Sequence, residues 1–285
     1  MKRAILILLI VIVAVVIGIQ VLGASAKEIA PSVIVHPAPA YQAASIPVYQ
    51  TFSTRSLHSM RLVTAPTIDG NLGEWPAGES IDLNRDTAFS FSGRIDSFSD
   101  LSAVVRSGWD ERTLYFAIQV NDDTIVTDST DVWRDDGAEI GLDGLNDKNA
   151  WGLDDHQYTI VADGRTTDRS VQTTDIVAAV LTYEGGYNIE VSIPMAKLIS
   201  GIPISGTVMG FTIGLHDDDD GGSWDAYLIW EGTNTSSSPE QFASLIFSER
   251  LEDRIAALEA RIVQLEQQVR ELLVILSEFE RLPPP

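Results

Sequence analysis

Four consecutive aspartates followed by two glycines are the residues best suited to chemistry in this sequence: Asp217, Asp218, Asp219 and Asp220. Carboxylate oxygens on a tight turn are the ligands that a hard cation such as Ca²⁺ prefers. The segment is not an EF-hand, because Leu228 stands where that loop needs a glutamate. We therefore expect either a calcium site of another kind or a solvated acidic loop. The pair Asp135–Asp136 and the segment Asp143–Asp147 present the same alternatives.

No residue pattern marks a catalytic centre. The carboxylates are plentiful, but none is marked by spacing as the acid/base pair of a glycoside hydrolase. The sequence has no glycine-rich phosphate loop, His-Glu-x-x-His helix or nucleophile elbow, and its four histidines are scattered. Cysteine is absent, so neither disulfides nor thiolate metal sites contribute. We expect a protein without enzymatic activity.

The charge balance limits the partners. The formal net charge of the 285 residues is −22 at pH 7. A phosphate backbone would be repelled by such a chain, which argues against nucleic-acid binding. The acidity suits an exterior protein, a calcium binder or a chain adapted to salty surroundings, and the sequence does not separate these three.

The N-terminal segment predicts export. Lys2 and Arg3 precede an apolar run, Ala4–Ile19, and Ala24–Ala26 has the small-x-small form that signal peptidase accepts. Residues 1–26 are therefore either a cleaved signal peptide or a retained membrane anchor. Both alternatives place the rest of the chain outside the cytoplasmic membrane, secreted or held in the cell envelope. Residues 27–60, rich in Pro, Ala and Ser, are typical of an extended linker.

The region 61–249 has the signals of strands. Leu114–Val120 is rich in β-branched and aromatic residues, and Tyr187–Ile193 alternates apolar and polar residues strictly. Turn clusters such as Asp110–Arg112 and Asp163–Gly164 separate the runs. Short strands at this spacing, without helical periods between them, predict a mainly β fold: an antiparallel β-sandwich of the jelly-roll or immunoglobulin-like type.

The segment 250–282 changes to a heptad period and predicts a C-terminal coiled-coil helix. One heptad position holds Ile255, Ile262, Val269 and Leu276, and the other holds Leu251, Leu258, Leu265, Leu272 and Phe279. Arginines at g precede glutamates at e, an arrangement that favours a parallel homo-oligomer. The alternative is an amphipathic helix packed on the sandwich.

The sequence gives conflicting indications of how many helices the predicted coiled coil contains. Ile or Val at a with Leu at d favours a dimer. Two Arg–apolar–x–x–apolar–Glu segments, together with Leu273 at e and Ile275 at g, favour a trimer. We slightly favour a trimer over a dimer.

Six motifs between the linker and the heptads resemble family 9 carbohydrate-binding modules. In chain order they are Ile68–Trp75, Trp109–Tyr115, Trp133–Glu139, Gly186–Glu190 with Ile193–Pro194, Gly210–Asp217 and Leu228–Trp230. The resemblance extends over nearly the whole of 61–249. It implies the same β-sandwich fold that the strand spacing predicts.

The resemblance also implies a way of binding sugar. In this family a pyranose packs between the faces of two tryptophan rings, while polar side chains bind its hydroxyls. Trp133 matches the first stacking tryptophan and Glu139 matches an acceptor for sugar hydroxyls. The resemblance implies packing roles for Trp75, Trp109 and Trp230.

Two family residues have no counterpart in this sequence. The second stacking tryptophan should lie within Thr233–Glu240, which contains no aromatic residue, and an arginine should lie near Thr159. Either the site is a single-sided platform supplemented by Trp151 or Trp224, or sugar binding has been lost. The candidate ligand-binding residues are therefore Trp133, Glu139, Asp136, Trp151, His216 and Trp224. The resemblance implies structural Ca²⁺ as the cofactor.

Two functions follow from these observations. The first is an extracytoplasmic, non-catalytic module that binds glycan or cell-envelope polysaccharide and is presented in several copies by the coiled coil. The second is a structural or assembly protein of the envelope whose sandwich has lost sugar binding. An accessory subunit of a larger enzyme complex is a further alternative.

Overall fold

The computed structural model describes residues 55–169 and 175–280. The predicted signal peptide or anchor, 1–26, and nearly all of the predicted linker, 27–60, lie outside these ranges. Within them, no helix is both long enough and apolar enough to cross a membrane.

The described residues form thirteen strands and two helices. The strands are β1 (Ser56–Arg61), β2 (Ile81–Leu83), β3 (Ser90–Ser92), β4 (Leu101–Trp109), β5 (Thr113–Asp122), β6 (Gly137–Asp143), β7 (Asp155–Val161), β8 (Thr166–Asp168), β9 (Val177–Tyr183), β10 (Gly186–Pro194), β11 (Val208–Asp217), β12 (Ala226–Ile229) and β13 (Ala243–Ser248). The helices are α1 (Met195–Leu198) and α2 (Leu251–Glu280).

Local chemistry sets the turns between the strands. At the β4–β5 turn the Asp110 carboxylate accepts hydrogen bonds from the backbone N–H groups of Arg112 (2.7 Å) and Thr113 (2.9 Å). An aspartate at the start of a turn commonly caps the backbone in this way. The hairpin then pairs β5 antiparallel with β4. The other edge of β5 pairs antiparallel with β10.

The strands follow one another in the order β8-β7-β6-β11-β13-β1-β4-β5-β10-β9, with β2 beside β4 and β12 between β11 and β3. Most neighbours are antiparallel, but β1 runs parallel to both β13 and β4. The prediction of a wholly antiparallel sandwich was therefore wrong at β1. This strand pairs with β13 along Ser56–Met60 and with β4 only at its end, so it joins the two halves of the sheet.

Strand β1 also begins at Ser56, before the predicted domain start at residue 61. Leu57 and Ser59 are both fully buried. The Ser107 hydroxyl donates a hydrogen bond to the Ser59 hydroxyl at 2.9 Å. Because one of the two buried side chains is polar, the alternation that would mark a strand is weak in the sequence.

The two halves of the sheet pack face to face. Phe116 on β5 stacks on Phe211 on β11 with ring centroids 5.3 Å apart, although these strands are far apart in the sheet order. Trp109 stacks on Phe247 at 5.1 Å. Trp109 is buried, as expected for a packing residue. Aromatic pairs at these distances stabilise a core beyond the area that they bury.

Helix α2 covers 30 residues, so it is about 45 Å long. Its apolar stripe faces solvent in the single chain: Ile255, Leu258, Ile262, Val269 and Leu272 are 42–57% exposed. The alternative in which this stripe packs on the sandwich is therefore wrong. The coiled coil remains a prediction.

The buried carboxylate of Glu190 holds the segment 69–75, near the start of the domain, by hydrogen bonds. Glu190 on β10 is fully buried and accepts hydrogen bonds from the backbone N–H groups of Asp69 (3.0 Å) and Gly70 (2.8 Å). It also accepts one from Nε1 of Trp75 at 2.6 Å, and the Trp75 ring is half-buried.

We expect Glu190→Ala to lower the free energy of unfolding by about 3 kcal/mol, because three donors would lose a charged acceptor. Urea unfolding followed by fluorescence measures the loss. Glu184→Ala, a change in the exposed β9–β10 turn, is the matched control and should stay within about 0.5 kcal/mol of the parent. A loss below about 1 kcal/mol in Glu190→Ala would contradict this role.

Candidate functional site

An open cleft of about 670 Å³ lies on the half of the sheet built from β6, β7, β8, β11 and β12. One row of paired residues crosses it: Ile229, Gly214, Glu139, Thr159 and Thr167. Side chains in one such row point to the same face of a sheet, so the row forms the cleft floor. All five residues line the cleft.

Glu139 lies at the centre of the floor and is only 6% exposed. Its carboxylate accepts hydrogen bonds from the hydroxyls of Thr235 and Thr159, the latter at 3.3 Å. Gln157 donates to the Thr235 hydroxyl at 2.9 Å. His216 Nε2 lies 3.6 Å from the same carboxylate. The floor is therefore a connected set of donors and acceptors, suited to a ligand rich in hydroxyl groups.

Trp133 stands on the margin of this cleft and is 44% exposed. It belongs to the short 3₁₀ turn Val132–Arg134, and the Arg134 guanidinium lies 4.8 Å from the ring centroid. The cation and the turn hold the indole in place while much of it faces solvent.

A second aromatic group lines the cleft from β11, β12 and the loop between them. Trp224 and Tyr227 meet edge to face, with ring centroids 5.1 Å apart. His216 lies 6.3 Å from Trp224. The cleft thus has aromatic residues besides Trp133, although Thr233–Glu240 has none.

Arg169, which the sequence interpretation missed, supplies a cation to the cleft. Its backbone N–H donates to the Gln157 carbonyl at 3.0 Å, and its side chain donates to the Ser236 carbonyl. Its guanidinium lies 4.5 Å from the centroid of the Trp151 ring. Trp151, predicted as a ligand-binding residue, is thus placed against Arg169 and is not among the residues that line the cleft.

A buried ion pair supports the strand that precedes Arg169. His156 Nδ1 and Asp168 Oδ2 are 2.8 Å apart, and both side chains are nearly inaccessible. Burial lowers the pKa of His156, but the hydrogen bond and the charge of Asp168 raise it more, so the pKa lies above its usual value. The pair therefore favours the charged imidazole and joins β7 to β8 beside the cleft.

Three aspartates meet in the interior at the end of β5, the start of β6 and the end of β11. One carboxylate oxygen from each of Asp122, Asp136 and Asp217 lies within 4.8 Å of the others, and all three residues are buried. Asp136 accepts hydrogen bonds from the backbone N–H groups of Val126 (2.5 Å) and Asp218 (2.7 Å). Asp122 Oδ2 and both Asp217 oxygens have no hydrogen-bond partner.

The electrostatics of these three residues, which we term the inner acidic cluster, disfavour their ionised forms. Burial, followed by repulsion from neighbouring carboxylates, raises the pKa of Asp217 to about 8. Burial likewise raises the pKa of Asp136 to about 9 and that of Asp122 to about 7. Uncompensated buried carboxylates are costly, and hard oxygen ligands without partners are what Ca²⁺ coordinates. The donor set therefore fits calcium.

This placement corrects the predicted role of Asp136. The residue was expected to contact sugar, but it does not line the cleft and is completely buried. It stands three residues after Trp133 in the sequence, and the adjacent strand β6 carries it inwards, towards the end of β5.

The predicted calcium ligands lie in and around the inner acidic cluster. Further groups whose carboxylate oxygens approach within 4.8 Å are Asp100–Asp217–Asp219, Asp128–Asp135–Asp218 and Asp218–Asp220–Asp225. Asp217 and Asp218 are buried, whereas Asp219 and Asp220 are exposed. A separate group, Asp143–Asp154–Asp155, lies at the β6–β7 connection. The four consecutive aspartates are thus divided among several groups.

The family model described as "Carbohydrate family 9 binding domain-like" matches residues 68–250. The chain belongs to this family. The match contains both the cleft and the inner acidic cluster. It ends where helix α2 begins, so the heptad segment is an addition to the family domain.

Among similar proteins is endo-1,4-beta-xylanase A of Thermotoga maritima, 30% identical over 68% of this chain and 18% of the xylanase. Exoglucanase XynX of Acetivibrio thermocellus is 31% identical over 51% of this chain and 13% of that enzyme. The chain therefore matches less than a fifth of the length of these relatives. A family 9 module from Caldicellulosiruptor kristjanssonii, solved in complex with cellotriose, shares the fold with a TM-score of 0.59 and 21% identity, over 69% of this chain and 95% of that one.

The raised pKa values predict a pH dependence of stability when divalent cations are chelated. An aspartate with a folded pKa of about 7 to 9 binds more protons in the folded state than in the unfolded state, where its pKa is about 3.9. The free energy of unfolding should then fall as pH rises from about 4 to about 9. Thermal melting in EDTA across this range measures the slope.

Calcium should reverse the loss at the upper end of this range. At a calcium concentration 100-fold above its dissociation constant the gain is about 2.7 kcal/mol, or about 5–10 °C in Tm. Sodium chloride at equal ionic strength is the control for screening. A melting temperature at pH 8 that is the same in EDTA and in CaCl₂ would contradict a calcium site.

Proposed function

We propose that the domain binds a glycan in the cleft without cleaving it. The observation that supports this most directly is the combination of a half-exposed indole, Trp133, with the polar floor around Glu139. A pyranose presents an apolar face and a rim of hydroxyls, and this cleft offers an aromatic surface next to donors and acceptors.

In the proposed complex, the exposed face of Trp133 packs on the sugar ring, and Trp224 or Tyr227 contributes a second apolar surface. Arg169 and Gln157 donate hydrogen bonds to hydroxyls, and Glu139 accepts one. Arg169 would replace the arginine that is missing near Thr159. Its position allows this because Gln157, two residues before Thr159, is adjacent to Arg169 across the β7–β8 hairpin.

Internal contacts of the carboxylates favour binding over catalysis. Within the described residues, the acidic side chains that line the cleft are Glu139 and Asp168. Glu139 is engaged by threonine hydroxyls and Asp168 by His156. Hydrolysis of a glycosidic bond needs one carboxylic acid to give up a proton and one carboxylate to attack or to activate water. Both carboxylates are thus already engaged by neighbouring side chains, which supports a binding role.

We expect Trp133→Ala to weaken glycan binding about tenfold or more, corresponding to about 1.4 kcal/mol, because the main stacking surface is lost. Isothermal titration with cellotriose and with soluble envelope polysaccharides measures the affinity. Phe98→Ala is the matched control, because Phe98 is 50% exposed but does not line the cleft. Equal affinity in the parent and Trp133→Ala, or no binding to any glycan tested, would contradict the proposal.

We also propose that the inner acidic cluster holds a structural Ca²⁺ ion. The support is the set of buried oxygens without partners on Asp122 and Asp217, together with the third carboxylate of Asp136. A divalent cation would supply the charge that these groups lack and would join the ends of three strands.

The exposed stripe on α2 supports assembly into a parallel homo-oligomer, with a trimer slightly favoured over a dimer. Two or three weak sites on one bundle gain roughly 10²–10⁴ in apparent affinity if the geometry lets them bind together. With an export signal or anchor at the N-terminus, such an oligomer would display its clefts outside the cytoplasmic membrane. A role as an accessory subunit of an enzyme complex is compatible with this arrangement.

A structural role in the cell envelope is the second candidate. The observation in its favour is the absence of an aromatic residue from Thr233–Glu240, where the resemblance places the second stacking tryptophan. In that case α2 would join copies of the chain and the sandwich would serve as a spacer.

We expect Ile262→Glu to convert the oligomer to a monomer, because a charge from each helix would enter the layer of the predicted seam that Ile262 forms. Sedimentation equilibrium of the full chain gives the mass. Gln264→Glu, a change on the outer face of the same helix turn, should leave the oligomer intact. A parent that is monomeric at micromolar concentration would contradict assembly through α2.

A further inference from the structure

The two loops that carry the cleft tryptophans both begin or end in the inner acidic cluster. Asp122 precedes the β5–β6 loop, 123–136, and Asp136 closes it; Trp133 lies within it. Asp217 precedes the β11–β12 loop, 218–225, which contains Trp224. A ligand shared by these three carboxylates would therefore fix an end of each loop.

The two loops also contact each other directly. The Asp218 N–H donates to the Asp136 carboxylate at 2.7 Å. The Ser129 hydroxyl donates to the Gly222 carbonyl at 3.1 Å, and the Gly222 N–H donates to the Asp128 carboxylate at 3.3 Å. Displacement of either loop would break bonds to the other.

The charge at this contact is strongly negative. The group Asp128–Asp135–Asp218 draws on both loops, and Asp218–Asp220–Asp225 brackets Trp224. Arg165 lies 2.5 Å from Asp135 and neutralises part of the outer charge. Within the described part of the chain, no lysine, arginine or histidine forms an ion pair with a member of the inner acidic cluster. Without a bound cation, repulsion between the ionised carboxylates of the two loops therefore acts to separate them.

We infer that Ca²⁺ bound by Asp122, Asp136 and Asp217 controls the affinity of the cleft by holding both tryptophan-bearing loops, without contacting the ligand. The inference rests on the proposed function, since it names the regulation of the same cleft. Contact between cation and glycan is not involved, because the three carboxylates are at most 1% exposed and none lines the cleft.

Calcium binding and glycan binding must be thermodynamically linked if calcium controls the affinity of the cleft. If calcium strengthens glycan binding by some factor, glycan must strengthen calcium binding by the same factor. A cation that merely stabilised the fold, with equal effect on the free and the glycan-bound cleft, would show no such coupling.

Two measurements on the full chain test the inference. Hydrogen exchange of the peptides covering 123–136 and 218–225 is compared in EDTA and in CaCl₂, with no sugar present. Isothermal titration with cellotriose is then performed in the same two buffers, below the melting temperature in both. We expect slower exchange in both loops with calcium, and at least tenfold tighter binding of cellotriose. Exchange that does not change in either loop would overturn the inference.

The two measurements also separate the inference from the proposed function. Equal cellotriose affinity in EDTA and in CaCl₂ would overturn the inference and leave the function intact. If cellotriose and the other soluble glycans bind in neither buffer, the proposed function loses its support, and the inferred control of the cleft is overturned with it. Slower loop exchange in calcium would then still support the calcium site itself.

Variants identify the ligands. Asp217→Asn should abolish the calcium response of both measurements. Because a change at this buried position can also prevent folding, the exposed Asp128→Asn provides a second test. Asp128 is not one of the three ligands, but it adds negative charge at the contact between the two loops and accepts a hydrogen bond from Gly222, so its neutralisation should raise the calcium concentration at half-maximal loop protection several-fold. Asp82→Asn, an exposed aspartate on β2 outside the acidic groups, is the matched control. A calcium midpoint in Asp128→Asn equal to that of Asp82→Asn would count against a calcium ion that bridges the loops.

Discussion

The structure depends on three carboxylates buried at the point where β5, β6 and β11 meet. Asp122, Asp136 and Asp217 lie close together, and their pKa values are raised to about 7, 9 and 8 because they are buried and repelled by neighbouring carboxylates. Carboxylates in this condition must either take up protons or share a cation. The chain retains them at the base of the two loops that line the cleft. When they are ionised without a cation, these carboxylates weaken the fold at the place where the two loops begin and end, which is why we propose that a cation bound there acts on the cleft.

The cleft itself follows from strand register. One cross-strand row carries Gly214, Glu139, Thr159 and Thr167 onto the same face. At Gly214 an added Cβ would lie 3.1 Å from a methyl group of Thr235, the residue that donates to Glu139, so a larger side chain would require Thr235 to shift. The sheet thus supplies the polar floor, whereas the two tryptophans, Trp133 and Trp224, lie on loops.

Much of this arrangement was predictable from the sequence, and the failures have physical causes. Alternation and turn residues predict β10 and the β4–β5 hairpin, and ordered motifs predict the family. The wholly antiparallel sandwich was wrong because β1 pairs with the last strand of the chain, a contact that local patterns do not encode. Asp136 was assigned to sugar because sequence proximity to Trp133 does not reveal the direction in which a side chain points. Arg169 was missed, although a tight turn at Asp163–Gly164 would have placed it beside Gln157 if the hairpin register had been extended.

The exposed stripe of α2 and the missing second tryptophan are best understood together. A cleft whose two tryptophans, Trp133 and Trp224, lie on loops must order those loops at each binding event, so a single copy is expected to bind weakly. Oligomerisation through a helix adds no contact to any cleft, but it converts the second and third binding events into intramolecular ones. Selection for affinity can then act on assembly instead of on the loop that lacks the tryptophan. A heptad segment joined directly to the end of a family 9 domain is the arrangement expected of a module that gains affinity by assembly.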